Sequence, residues 1–231
     1  MQRRFIALVF VSVFLAACAS SSKAPVRSGD GEGVRINPKS GPVIEANVER
    51  LYPNKRLFVC QGTTVSNKPP TNGSNEVTSY SRMIVVDGKV PIVTAPANNA
   101  CVSSGFGQRW GRLHKGLDIT SRPASRVFSG GAGTILEAGQ NGGYGLAILI
   151  DHGHGVYTRY AHLEYIEPGI KKGAYVHYGK PLGRMGRSGQ VTGIHLHYEI
   201  LTGTYQAGVW GRGLDARDPF SFPEWIDPRL E

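Results

Sequence analysis

The segment "GIHLHYEI", Gly193–Ile200, sets two histidines one residue apart among β-branched, aliphatic and aromatic neighbours. On a helix, positions i and i+2 point about 200° apart and do not readily share a ligand. On a strand they point to the same face. His195, His197 and Glu199 then line one face, and Leu196, Tyr198 and Ile200 the other. Such a polar face holds a metal, a catalytic pair, or nothing, and the rest of the chain must decide which.

Outward from this strand the chain repeats short apolar runs punctuated by glycine. "LAILIDHGHGVYTRYAHL" (146–163) reads as a hairpin with "HGHG" near its turn, and "RVFSGGAGTILEAG" (126–139) as strand, turn, strand. "GAYVHYGKPLGRMG" (173–186) adds a further short strand, and the tail "DARDPFSFPEWIDPRLE" (215–231) reads as packed coil. The 231 residues include 31 glycines and 14 prolines, well above average usage, which weighs against long helices. The fold class expected is mainly β, a small antiparallel β-sheet core with few helices. Residues 46–95 read as a smaller N-terminal β region. There "RMIVVDGKVPIV" (82–93) sets two β-rich runs around Asp87-Gly88, a hairpin signal. Residues 96–231 form the main domain.

The N-terminus, "MQRRFIALVFVSVFLAAC", has two arginines, an apolar run from Phe5 to Ala17, and small residues at its end. The run is short for a bilayer span and reads as a secretory signal over residues 1–17. "LAAC", Leu15 to Cys18, looks like a bacterial lipobox, which implies lipidation of Cys18. Ala19 and Ser20 lack the aspartate associated with inner-membrane retention, so the expected place is the outer membrane, facing the periplasm. Residues 18–45 hold that cysteine and a tether rich in Ser, Gly, Pro and charge, without apolar period. Such a tether reaches roughly 30 Å on average and about 90 Å when stretched. Removing residues 1–17 takes Arg3 and Arg4 and no acid, so the net charge of +9 falls by two and stays basic. That suits an anionic wall polymer or lipid headgroup. No cluster of basic and aromatic residues points to nucleic acid. Cys60 and Cys101 remain, and two cysteines in an exported chain suggest a disulfide rather than two free thiols.

Seven histidines carry the candidate chemistry. A catalytic zinc takes three protein ligands and leaves a fourth position open, and His with carboxylate suits it. "HKGLD" offers His114 and Asp118; "HLHYE" offers His195 and His197. The second H-x-H, His152 and His154, alternates with glycine where a hairpin turns, so solvent contacts are expected there. His177 stands alone and reads as a surface residue.

"SGFGQRWGRLHKGLDI" (104–119), "YGLAILIDHGHGVYTRYAHL" (144–163) and "SGQVTGIHLHYEI" (188–200) together resemble successive signatures of the lysostaphin/LytM family of zinc metalloendopeptidases. The resemblance covers roughly residues 90–225. It implies a β core built on a duplicated hybrid motif, with one Zn2+ per chain in a groove edged by loops. By resemblance His114, Asp118 and His197 are the metal ligands, and His162 and His195 the catalytic pair. Zinc would then acidify water and polarise the scissile carbonyl. Arg109 occupies the family's "FGxR" position, as a structural residue or a contact to a substrate carboxylate. Glu199 is either an acceptor orienting a ligand histidine or a solvated acid. Two departures stand out: Ile194 replaces a frequent proline before H-x-H, and Ala124-Ser125-Arg126-Val127 follow Pro123 where the family often has "GTPV". The second is expected to reshape a groove wall. The implied activity is hydrolysis of peptide cross-links in peptidoglycan during wall remodelling or cell separation, with cell-division or amidase proteins as possible partners. The alternative is a non-enzymatic activator of cell-wall amidases, a role of relatives that have lost ligands.

Overall fold

The computed structural model describes residues 52–226 and a two-residue antiparallel ladder, Ile36–Asn37 with Gly41–Pro42, inside the expected tether. The signal segment 1–17, Cys18 and the rest of the tether lie outside the described residues.

The histidine segment is the centre of the molecule. Leu196–Gly203 runs through a nine-stranded sheet, flanked on one side along most of its length by Val156–Ala161. Leu117–Thr120 pairs with the first half of its other edge and Leu214–Arg217 with the second half. The tail therefore departs from the expected coil at its start. The central strand outruns Leu117–Thr120, and its remaining backbone groups need partners that residues 214–217 supply. Further out, Leu146–Asp151, Gly133–Gln140 and Tyr175–Val176 continue one side of the sheet. Cys101–Ser104 and then Phe58–Val59 continue the other, the last pair running parallel. A separate three-stranded sheet has Pro181–Met185 between Arg126–Phe128 and Leu163–Ile166. The mainly β expectation is met: among the described residues the helical element is one 3-10 turn, Gly142–Tyr144.

The hairpin read at Asp87-Gly88 forms from Met83–Val86 and Val90–Val93, with both turn residues at positive φ, 50° and 66°. That left-handed pair matches the twist of the flanking strands. Cys60 and Cys101 are bonded, with Cα atoms 5.0 Å apart, which ties Phe58–Val59 to the strand leading toward the first histidine motif.

Strand alternation sorts the side chains. Leu196, Tyr198 and Ile200 enter the main core with Leu117, Ile119, Ile148, Ile150 and Tyr160. Ile84 and Ile92 of the N-terminal hairpin pack into the same core. Each such side chain contributes about 1.5–3 kcal/mol by leaving water. The opposite face of the sheet carries a smaller cluster, Leu149, Tyr157 and Leu201, and next to it along the central strand come Glu199 and His197.

Candidate functional site

Three strands bring the first group together. In register, His197 lies opposite Asp118 on one neighbouring strand and Ala161 on the other. His114 ends the short strand Arg112–His114, whose turn back from Gly107–Arg109 is made by Trp110 and Gly111 at positive φ. Gly116 lets the chain pass from His114 to Asp118: a Cβ there would collide with the backbone carbonyl of Tyr198. The result is a compact triangle of ligand atoms. His114 Nε2 lies 3.0 Å from Asp118 Oδ1, His197 Nδ1 lies 2.9 Å from the same oxygen, and the two nitrogens are 3.1 Å apart.

The outward hydrogen bonds decide what these atoms can do. His114 Nδ1 donates to the carbonyl of Gly105, and His197 Nε2 donates to Glu199 Oε1 at 3.0 Å. Each neutral ring has one N–H, so the inward nitrogens carry lone pairs. Asp118 Oδ1 is also an acceptor, and Arg109 Nη1 holds the other carboxylate oxygen at 3.0 Å. Three acceptors thus converge with no proton of their own between them. A divalent cation resolves that conflict, and the spacing approaches one face of a tetrahedron of 2.0–2.2 Å bonds. Among the described residues this trio is the group able to hold a metal ion. In the metal-free protein a proton takes that place. Burial disfavours a charged His197, but the carboxylates of Asp118 and Glu199 outweigh it and raise the ring to about 9. Burial likewise pushes the Asp118 carboxyl up, and bonds from His114 and His197 hold it well below the usual carboxylate range.

Glu199 settles one of the alternatives left open by its position. It is fully buried, not a solvated acid. Its Oε1 accepts from His197 and from the Tyr144 hydroxyl at 2.7 Å, and its Oε2 accepts from Arg159 Nη1 at 2.6 Å. Arg159 stands directly opposite Glu199 in the sheet register and lies over the Tyr144 ring, 4.4 Å from its centroid. Arg109 is likewise engaged with the protein, bonded to Ser104 Oγ at 2.9 Å as well as to Asp118.

His195 and His162 form the second layer. His195 Nδ1 donates to the Gly193 carbonyl at 3.0 Å and His162 Nδ1 to the Ser188 carbonyl at 2.9 Å. Both rings therefore present Nε2 lone pairs, with centroids 4.8 Å apart. His195 Nε2 lies 3.6 Å from Asp118 Oδ1. Burial lowers His195 and brings His162 down to about 4, so both are neutral at pH 7. A groove of about 700 Å³ opens over these residues, with Trp110 and Leu113 exposed on one rim.

The decoy histidines separate from the site. His154 sits at the hairpin tip with φ +53°. His152 corrects the expected solvent contact: its Nδ1 meets the Ala132 carbonyl at 2.8 Å and its Nε2 the Thr158 hydroxyl at 2.7 Å. The turn aims it back over the sheet. His177 is exposed.

Residues 112–208, which include His114, Asp118, His162, His195, His197 and Glu199, match the model of peptidase family M23. That stretch is similar to an M23 peptidase domain. Over 105 residues the chain is 39% identical to the DD-carboxypeptidase/endopeptidase Mpg of Neisseria meningitidis, covering 42% of this chain and 24% of that protein. Over 88 residues it is 36% identical to the peptidoglycan DD-endopeptidase ShyA of Vibrio cholerae, covering 38% of this chain and 20% of that protein. The aligned part thus spans a quarter or less of the length of these curated relatives. The catalytic domain of lysostaphin from Staphylococcus simulans aligns with 50% of this chain and 85% of its own length, at 28% identity and a TM-score of 0.43. The matched stretch holds His114, Asp118, His162, His195 and His197, and begins three residues after Arg109.

Sequence reasoning missed the supports: Gly105, Tyr144, Arg159 and Ser188. One signal was present. Arg159 interrupts the otherwise uncharged run "VYTRYA", and a charge on a core strand requires a buried partner.

Proposed function

We propose that this M23 domain is a zinc-dependent endopeptidase that hydrolyses peptide cross-links of peptidoglycan, tethered to the membrane by lipid at Cys18. The convergence of three proton-free acceptors from His114, Asp118 and His197 carries the reading. These residues would hold one Zn2+. Bound there, the ion supplies Lewis acidity that polarises the scissile carbonyl and acidifies water.

The protein's own groups do the remaining work. Glu199 fixes the His197 ring and keeps its proton on Nε2, while Arg109 turns one Asp118 oxygen into the site. His195 Nε2 accepts the proton of the attacking water, and the imidazolium so formed is steadied by Asp118 at 3.6 Å. His162, neutral and fixed by the Ser188 carbonyl, orients that water through Nε2. The proton then passes from His195 to the leaving amine. The intact set of ligands leaves the amidase-activator alternative without its motive. The wild-type full chain should hold near one zinc and free new peptide ends from purified peptidoglycan. His114→Ala should lose both; undiminished release by that variant would overturn the assignment.

A further inference from the structure

Beside the groove lies a second cavity of about 600 Å³ whose walls carry Arg122, Arg184 and Arg187. Ser121, Arg122, Pro123 and Ala124 make one side, the last of them beginning the stretch that departs from the LytM-type pattern. Met185–Arg187 and Thr192–Ile194 make the other. Arg122 and Arg187 are exposed and have no hydrogen bond or ion pair among the described residues. Arg184 is committed: Nε donates to the Ala124 carbonyl at 3.1 Å, and Nη1 meets Glu164 at 3.4 Å. Glu164 offsets one of three positive charges, so the cavity remains cationic.

Its position relative to the chemistry is set by the backbone. Thr192 lines both the cavity and the groove. Ile194, on the cavity wall, precedes His195, and the Ile194 carbonyl is pinned by the Thr120 hydroxyl at 2.7 Å. His195 N–H donates to the Gly186 carbonyl at 3.0 Å, next to Arg187. Ser188, whose carbonyl holds His162, follows Arg187. Arg187 therefore stands between the two residues whose carbonyls hold His195 and His162, and Arg122 lies two residues after Thr120, which pins Ile194. The cavity and the groove share Thr192 as a wall, so an extended peptide lying in the groove runs alongside the cavity.

We infer that this cavity is a carboxylate subsite, in which Arg122 and Arg187 select substrate peptides bearing a free carboxyl next to the cleaved amide. The inference rests on the proposed peptidase reading and adds a substrate class to it: acidic stem peptides, as opposed to uncharged bridges. Guanidinium forks match carboxylates in geometry and charge.

The test uses the zinc-loaded full chain and two cross-linked peptides, identical except that the carboxyls flanking the scissile amide are free in one and amidated in the other. Two exposed charge contacts of about threefold each multiply to about tenfold preference in kcat/KM for the free acid. The Arg122→Gln/Arg187→Gln chain should reduce that ratio to near one, whereas Arg212→Gln, the same charge loss away from the cavity, should keep it. Binding of both peptides to the metal-stripped chain is measured in parallel by calorimetry. Equal binding and cleavage of the two peptides by the wild type, or a preference that survives the double substitution, would overturn the subsite while leaving the peptidase reading intact. Preferential binding lost in the double variant, with neither peptide cleaved by the zinc-loaded chain, would support the subsite and overturn the peptidase.

Discussion

Glu199→Gln is the most informative single substitution. It keeps the side chain's shape and leaves acceptors for His197 and Tyr144, and it removes one charge. Arg159 and Glu199 side chains are 5% and 0% exposed and 2.6 Å apart, so the variant leaves a guanidinium buried beside a neutral amide. Breaking a buried pair from one side costs about 3–5 kcal/mol. The Tyr144 ring, 4.4 Å from the Arg159 guanidinium, is in place before and after the substitution and so does not offset the loss. The loss expected in urea unfolding of the metal-free chain is therefore about 3–5 kcal/mol. Zinc affinity should fall about 10- to 100-fold, because His197 loses the carboxylate that orients it and raises its basicity. Adding Arg159→Met removes the stranded charge. The double variant should regain at least about 1 kcal/mol of stability and keep the weakened zinc affinity. A coupling under about 0.5 kcal/mol between the two positions, or zinc affinity unchanged in Glu199→Gln, would refute the reasoning.

Other expectations follow from the same geometry. His162→Ala and His195→Ala should retain near one zinc per chain and lose about 10²–10⁴-fold in turnover, read by metal analysis and muropeptide release. Replacing Cys60 and Cys101 by serine opens a loop with a sequence separation of 41 and should cost about 4 kcal/mol in the chain-entropy account, measured by denaturation. Burial of the His152 ring lowers it from the ordinary 6.5 to about 4. Between those values the unfolded chain binds the extra proton, so this stability is fully present above about pH 6.5 and is lost as pH falls toward 4. The difference is worth at most about 3 kcal/mol, nearer 2 because the ring is only partly buried. Titration of the His152 ring near 6.5 by NMR would contradict it.

Much of this was legible because strands alternate with a period of two. Reading Gly193–Ile200 as a strand put His195, His197 and Glu199 on one face and Leu196, Tyr198 and Ile200 in the core. The core residues are as expected, but the strand begins at Leu196, and His195 stands just before it in a bridge to Gly186. Turn chemistry located the Asp87-Gly88 hairpin, and export located the Cys60–Cys101 bond. What escaped was set by distance along the chain. Glu199 looks like a strand-end acid until Arg159, forty residues earlier, is placed opposite it by sheet register. Tyr144 reaches Glu199 across 55 residues, from a turn without apolar periodicity. His152 misled because glycine neighbours mark a turn but say nothing of where the ring points. The strand at Leu214–Arg217 was hidden by the prolines that follow it, and formed because the central strand had an edge to fill.

The central claim is that one metal ion, held by His114, Asp118 and His197, is required for cutting wall peptides. A zinc titration of the metal-stripped full chain, with released amines from purified peptidoglycan as readout, tests it most directly. The rate should start near zero, rise in proportion to added zinc, and break at one equivalent per chain. A metal-stripped chain that releases amines at the full rate, or a rate with no break at one equivalent, would contradict it.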